Sequence, residues 1–184
     1  MGLFDNFFKL KKKIVEETPL VAFTDPLFGR FLPIEDLCWF SGSISIQDKK
    51  VTVTLETKEG IEMLHHIYSN MEQLIEQSSR YAAKILLDCS NDWGYDVWVS
   101  EIINENNLSP MTAVEFDTWL NNNLPDKKYI PLRTEDFIKR MSLVGIHISK
   151  CSNYTLEYND GYIFLGHHIS IDGNMESGFS DARI

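Results

Sequence analysis

Apolar and polar residues alternate at the two ends of this chain, and apolar residues recur every three to four positions in its middle. Leu27-Phe28-Gly29-Arg30-Phe31-Leu32 reads as a short strand closed by Pro33. From Leu37 to Ile46, Cys38, Phe40, Ile44 and Ile46 share one face, and Trp39, Ser41, Ser43 and Ser45 share the other. After a turn at 47–50, Val51, Val53 and Leu55 alternate with Thr52, Thr54 and Glu56. Such alternation marks an antiparallel meander with one face covered and one face in water. Trp39 falls on the wet face, as a cap over a sheet edge or as a contact residue.

The period then changes. Ile61, Leu64, Tyr68, Met71, Ile75, Ser78, Ala82, Ile85 and Cys89 lie three or four apart. This spacing predicts a long helix over about 59–89, with Thr57 as its N-cap. Some 30 residues at 1.5 Å rise span ~45 Å, so a break is expected near Gln77-Ser78-Ser79. Gly94, within Asn91-Asp92-Trp93-Gly94-Tyr95, is expected to end the helix, with Asp92 capping a continuation over 96–104. Ser109-Pro110 reads as the start of a further helix reaching about Asn122. Thr134 reads as the cap of a short one over 135–141, whose first turn holds Glu135 and Asp136. Residues 100–131 read as a helical insertion.

Strand period returns at 143–149, with Val144, Ile146 and Ile148 on one face. Two further strands, Tyr154–Tyr158 and Tyr162–Ile171, flank Asn159-Asp160-Gly161, where Gly161 supplies a left-handed turn residue. In this hairpin His167 joins an aliphatic row and His168 an aromatic one. Gly166 marks a bulge or a close approach to the backbone. Asp172-Gly173-Asn174 reads as a turn into a Ser/Gly-rich tail. Strands, then helices, then strands predict an α+β fold. Its mostly antiparallel sheet is built from N-terminal and C-terminal strands packed on the central helical block, and residues 18–184 form one domain.

Ahead of that domain, Leu3, Phe7, Leu10 and Ile14 form one stripe of an amphipathic leader helix over 1–17, ended by Thr18-Pro19. A basic, Phe-rich helix suits a membrane surface. With only three turns, a leader helix packed on its own domain or frayed in solution is the reading favoured here.

Composition narrows the function classes. The chain has 184 residues, 43% of them hydrophobic, and no apolar run long enough to span a bilayer. No secretory signal is expected, and Cys38, Cys89 and Cys151 are scattered without a CxxC pair. Reduced thiols in a cytoplasm follow. The formal net charge is -10. The first 13 residues hold Lys9, Lys11, Lys12 and Lys13 against Asp5, leaving -13 for the rest. An acidic body opposes nucleic-acid binding and fits solubility or a basic protein partner.

No nucleophile elbow, phosphate-binding glycine loop, dinucleotide fingerprint or zinc signature is present, and no cofactor is expected. The chemistry-bearing candidates are His167 and His168 with Asp160, and His147 or Glu157 beside them if the strands pair. A His/carboxylate site of this kind suits metal binding or general base work. The plainer alternative, a core histidine bonded to backbone, carries more weight, because a metal site normally shows three or more ligands at readable spacing.

Asn159-Asp160-Gly161-x-x-Phe164-x-Gly166-His167-x-Ile169, followed by Gly173-Asn174 and Ala182-Arg183-Ile184, resembles the bacterial domain of unknown function numbered 2262. Leu27-Phe28-Gly29, Trp39-Phe40-x-Gly42 and a long helix ending in Asn91-Asp92-Trp93 extend the resemblance over about 26–184. Leu165 and His168 depart from the pattern, which favours Trp and a small polar residue there, and 100–131 is longer than the family's usual connection. The resemblance implies a fold and a bacterial cytoplasmic setting, and no chemistry. Two function classes remain. One is a non-catalytic protein-binding module, for instance an immunity-type protein that blocks a basic toxin, with Trp39, Asn91, Asp92, Trp93, Gly166 and His167 as binding candidates. The other is an enzyme or metal-binding protein centred on His167 and His168.

Overall fold

The computed structural model describes residues 20–184; the helix expected over 1–17 lies outside the described residues. The strands are β1 (Phe23–Asp25), β2 (Gly29–Ile34), β3 (Trp39–Ile46), β4 (Lys49–Leu55), β5 (Ser142–Ile148), β6 (Asn153–Asn159), β7 (His168–Asn174) and β8 (Gly178–Arg183). They form one eight-stranded sheet in chain order. Every neighbouring pair is antiparallel except β4 and β5, which run parallel with Thr52 opposite Gly145 and Leu55 opposite Ile148. Between those two strands lie α1 (Gly60–Ser69), α2 (Met71–Glu105), α3 (Ala113–Asn123) and α4 (Thr134–Arg140). The α+β architecture read from the pattern is the one observed.

The alternation in β3 and β4 has the expected cause. Phe40, Ile44, Ile46, Val51, Val53 and Leu55 are buried on one face. They share a core with Leu64 and Ile67 of α1 and with Ala82, Ala83 and Leu86 of α2. Each fully buried aliphatic or aromatic side chain contributes about 1.5–3 kcal/mol, so the period of the pattern decides which face the helices cover.

Several local expectations are corrected. The helix breaks at Asn70, not at 77–79. Ser69 Oγ and Asn70 Nδ2 donate to the carbonyls of His65 and His66, ending α1 through side chains that compete for its last turn. Ser78 and Ser79 instead continue α2, each donating to a carbonyl four residues back. Ser78 Oγ also meets the Tyr158 hydroxyl at 2.6 Å, which is why a polar residue is tolerated there at full burial. Gly94 does not stop α2. The Tyr129 hydroxyl packs against it where a Cβ would stand, so this glycine serves close packing.

The helix starting near 110 begins at Ala113. Thr112 is its N-cap, and Glu115 closes a capping box with it. In β5 a bulge between Leu143 and Gly145 turns Val144 away from Ile146 and Ile148 and puts Leu143 into the core instead. The expected turn at Asp172-Gly173-Asn174 lies within β7, and the expected tail is β8, where Ala182 is buried opposite Ile171.

Candidate binding surface

The hairpin that carries the histidines folds differently from its sequence reading. β6 ends at Asn159, and β7 does not begin until His168. Between them, residues 160–167 form a compact loop built around one carboxylate. Asp160 is fully buried. Its Oδ1 accepts the backbone N–H of Tyr162 at 3.0 Å, and its Oδ2 accepts those of Phe164 at 2.6 Å and Gly166 at 3.2 Å. Asn159 Oδ1 accepts the N–H of Gly161 at 2.9 Å. A short acidic side chain placed before a run of free N–H groups favours such local closure over a ladder. Hydrogen bonds to a charged acceptor are the strong kind.

This closure decides which side chains face in. Ile163 and Phe164 are buried, and Phe164 meets Trp93 edge-on at 5.6 Å and Phe137 of α4 at 6.3 Å. Tyr162 and Leu165 face out at 82% and 63% exposure. Both hold positive φ, 66° and 58°, a region non-glycine residues enter at a cost of order 1–3 kcal/mol. Gly161, at φ 56°, lies so close to Arg140 that a Cβ would come within 2.6 Å of its carbonyl oxygen.

The loop leans on α2, where Trp93, Val97 and Glu101 recur every four residues along one helical face. With Trp98 and Gly94 they form one wall of a slot of about 130 Å³; Tyr162, Ile163 and Leu165 form the other. Behind Trp98 stands an aromatic cluster. Its ring lies edge-on to Phe116 of α3 at 5.8 Å and beside Tyr129 at 5.9 Å. Burial, then the charges of Asp117 and Asp92 respectively, push the Tyr95 and Tyr129 phenols above their ordinary values. Asn91 pins the returning chain to α2: its side chain accepts from Leu132 N–H at 2.6 Å and donates to Leu132 C=O at 3.2 Å.

The predicted site residues therefore divide. Trp93, Gly166 and His167 meet at the loop, where His167 is exposed and lies 6.1 Å from the Trp93 ring. It is not in an aliphatic row, because the strand that would have placed it there does not form. Asp160 is part of the loop's frame, with both oxygens occupied by backbone. Asn91 is a tether, and Asp92 is exposed on the same helix. Trp39 and His168 do not line the loop's slot; they lie on the helix-free face of the sheet, where they line a groove of about 610 Å³ with Thr52, His147, Glu157 and Arg183.

In that groove the Trp39 ring lies 4.5 Å from His147, and Thr54 Oγ1 is 2.7 Å from His147 Nδ1. His147 Nε2 stands 3.9 Å from Glu56, beyond hydrogen-bond reach. His147 is opposite Thr155, and His168 opposite Asn159, about 13 Å apart along β6. The expected meeting of His147 with His167 or His168 does not occur. Among the described residues no three His, Cys, Asp or Glu side chains are arranged to hold a metal ion, and no helix is long and apolar enough to cross a membrane. The slot residues Tyr162, Leu165, Val97 and Glu101 were not singled out by periodicity. For Tyr162 and Leu165 the one signal is an unbroken run of four aliphatic or aromatic residues, 162–165, bounded by Gly161 and Gly166.

Fold and surface together define an α+β protein with a helix-lined sheet and a braced apolar loop between β6 and β7. The chain belongs to a bacterial family described as "Uncharacterized protein conserved in bacteria (DUF2262)", whose model matches residues 25–184. No curated protein and no solved structure matches the chain.

Proposed function

We propose that this protein is a non-catalytic binding module that engages a basic protein through the loop at 160–167. The reading rests on one observation: Tyr162 and Leu165 are held in solvent, at strained φ, by a buried carboxylate that spends all its bonds on the loop. Strain of this kind persists only where the surroundings over-determine it, and it clusters at functional segments. Large apolar side chains presented on a stiff backbone are the anchors of protein interfaces, since little entropy is lost on binding. Exposed Asp92, Asp96 and Glu101 on the adjoining helix, within a chain of net charge -10, favour a positively charged partner by electrostatic steering. An immunity-type protein that masks a basic toxin is one concrete form.

The histidine-centred alternative has less support. Asp160 is fully buried with both oxygens bonded to backbone N–H groups, and the histidines do not converge. The test is affinity capture with cross-linking from the source bacterium, using wild type, Leu165→Asp and Tyr162→Asp, each checked for an unchanged melting transition. A single stoichiometric basic partner, held by wild type and lost by both variants, is expected. Absence of any stoichiometric partner, or equal capture by the variants, overturns the reading.

A further inference from the structure

The slot beside the loop has a chemistry of its own, and it narrows what the partner must bring. Its volume of about 130 Å³ is that of roughly four waters, enough for one side chain and too small for a cofactor. Its walls are flat and apolar, with Trp93 and Trp98 on α2 and Ile163 and Leu165 on the loop. One carboxylate, Glu101, also lines it, the last of its residues along α2. Glu101 is exposed and makes no ion pair among the described residues, whereas Glu105, one turn on, is already bonded to Lys127 at 3.0 Å. Arg140, whose backbone lies against Gly161, does not line the slot.

A narrow aromatic trench with an unpaired carboxylate matches one natural side chain best. A long apolar stem would lie along Val97 and Leu165, a flat cation would face the indole, and its N–H groups would reach Glu101. Arginine has all three properties. Its guanidinium stacks on aromatic faces and meets a carboxylate through two parallel hydrogen bonds, and it is less strongly hydrated than an ammonium. A purely aliphatic side chain would fill the walls and leave the carboxylate unmet. A carboxylate-bearing one would face repulsion from Glu101.

From this we infer that the slot formed by Trp93, Val97, Trp98, Glu101, Ile163 and Leu165 receives an arginine side chain of the partner protein. The inference rests on the binding-module reading above and specifies its anchor.

The test uses the full chain, isotope-labelled for NMR, titrated with the tripeptides Gly-Arg-Gly, Gly-Lys-Gly and Gly-Leu-Gly. Gly-Arg-Gly is expected to shift the Trp98 indole N–H and the Val97 and Leu165 methyl signals, saturating on the order of millimolar, as befits one isolated anchor. Gly-Lys-Gly should bind about threefold more weakly, and Glu101→Gln should weaken Gly-Arg-Gly by about twofold to fivefold, the worth of one exposed charge pair. The slot assignment fails if Gly-Leu-Gly reproduces the shifts, if Glu101→Gln leaves the affinity unchanged, or if Gly-Arg-Gly gives no shifts by about 20 mM, roughly tenfold above the millimolar range expected. Equal binding of Gly-Lys-Gly overturns the choice of arginine. These outcomes separate from the broader reading: a partner lost on Leu165→Asp but retained by Glu101→Gln sinks the slot and leaves the binding module standing.

Discussion

Replacing Asp160 by Asn is the sharpest probe of the loop. The two side chains have the same shape, so packing against Phe164 and Ile163 is unchanged. What changes is the count of acceptors. Asp160 presents two charged oxygens to three N–H groups, those of Tyr162, Phe164 and Gly166. Asn presents one neutral oxygen and one NH2. If the oxygen takes the place of Oδ2, the bonds to Phe164 and Gly166 survive in weaker form and the amide faces the N–H of Tyr162. In the other orientation two bonds are lost. A hydrogen bond to a charged group is worth about 1.5–3 kcal/mol, and a buried donor left unmet costs about 1–3 kcal/mol. The expected destabilisation is therefore about 2–4 kcal/mol, a large part of the roughly 5–15 kcal/mol that holds a domain folded. In urea, at a slope of about 2 kcal/mol/M, the midpoint should fall by about 1–2 M. Trp fluorescence, reporting Trp93 on Phe164, and far-UV circular dichroism follow the transition. Hydrogen exchange at the Phe164 and Gly166 amides should accelerate beyond the global change, because the loop opens first. A midpoint within about 0.3 M of wild type at unchanged slope, or unchanged exchange at those amides, refutes the account of Asp160 as the brace.

Three further outcomes follow from the same reasoning. Burial pushes the Tyr158 phenol up to about 12, against 10.0 for a free one; a raised value means stability is intact below pH 10 and is lost as pH climbs toward 12, by about 3 kcal/mol. Tyr158→Phe should flatten that alkaline limb in urea midpoints measured at pH 8, 10 and 11.5, while removing about 1 kcal/mol at neutral pH through the lost bond to Ser78; an unaltered limb counts against it. Burial raises the Asp25 carboxyl, but the His65 hydrogen bond and the N–H groups of Phe28 and Leu27 outweigh it and hold the group below its ordinary value. A depressed value means its contribution is present above about pH 4 and fades as pH falls through the folded value, so Asp25→Asn should lessen the gap between urea midpoints at pH 7 and pH 3. Gly161→Ala meets both positive φ and the Arg140 backbone, whereas Gly178→Ala meets positive φ in open space; the first should lower the thermal midpoint clearly more than the second, which should cost about 1 kcal/mol.

How much of this was legible follows from where each signal resides. Alternation in β3 and β4 is a local consequence of one buried face, so Phe40, Ile44, Val51 and Val53 announced themselves. The stripe from Ile61 to Cys89 did the same for the helices. The misreadings share a cause, which is a residue whose identity is local and whose role is tertiary. Ser78 and Ser79 look like a break until Tyr158 supplies a partner. Gly94 looks like a stop until Tyr129 fills the space beside it. Asp160 was read as a turn residue, which it is, but its carboxylate captures N–H groups as far as Gly166, and six residues, 162–167, are withdrawn from the expected strand. That withdrawal moved His167 out of the sheet and exposed Tyr162 and Leu165, so the candidate surface was only half visible. Trp93, Gly166 and His167 were named for it, while its other wall depended on a fold of the loop that periodicity does not encode.

The parallel seam between β4 and β5 has a kinetic meaning. On either side of it, each strand pairs with its chain neighbour through a short connection. Across it, Leu55 and Ile148 must meet with residues 56–141 strung between their strands. The two four-stranded halves can therefore zip up early, each from local contacts, while docking along the seam waits on the closing of one large loop. Folding speed should respond most to mutations at Val53, Leu55, Ile146 and Ile148. The length of the helical excursion should matter little, because doubling it adds only about 0.6 kcal/mol to closure. A sheet built this way can host a longer or shorter excursion on the same foundation.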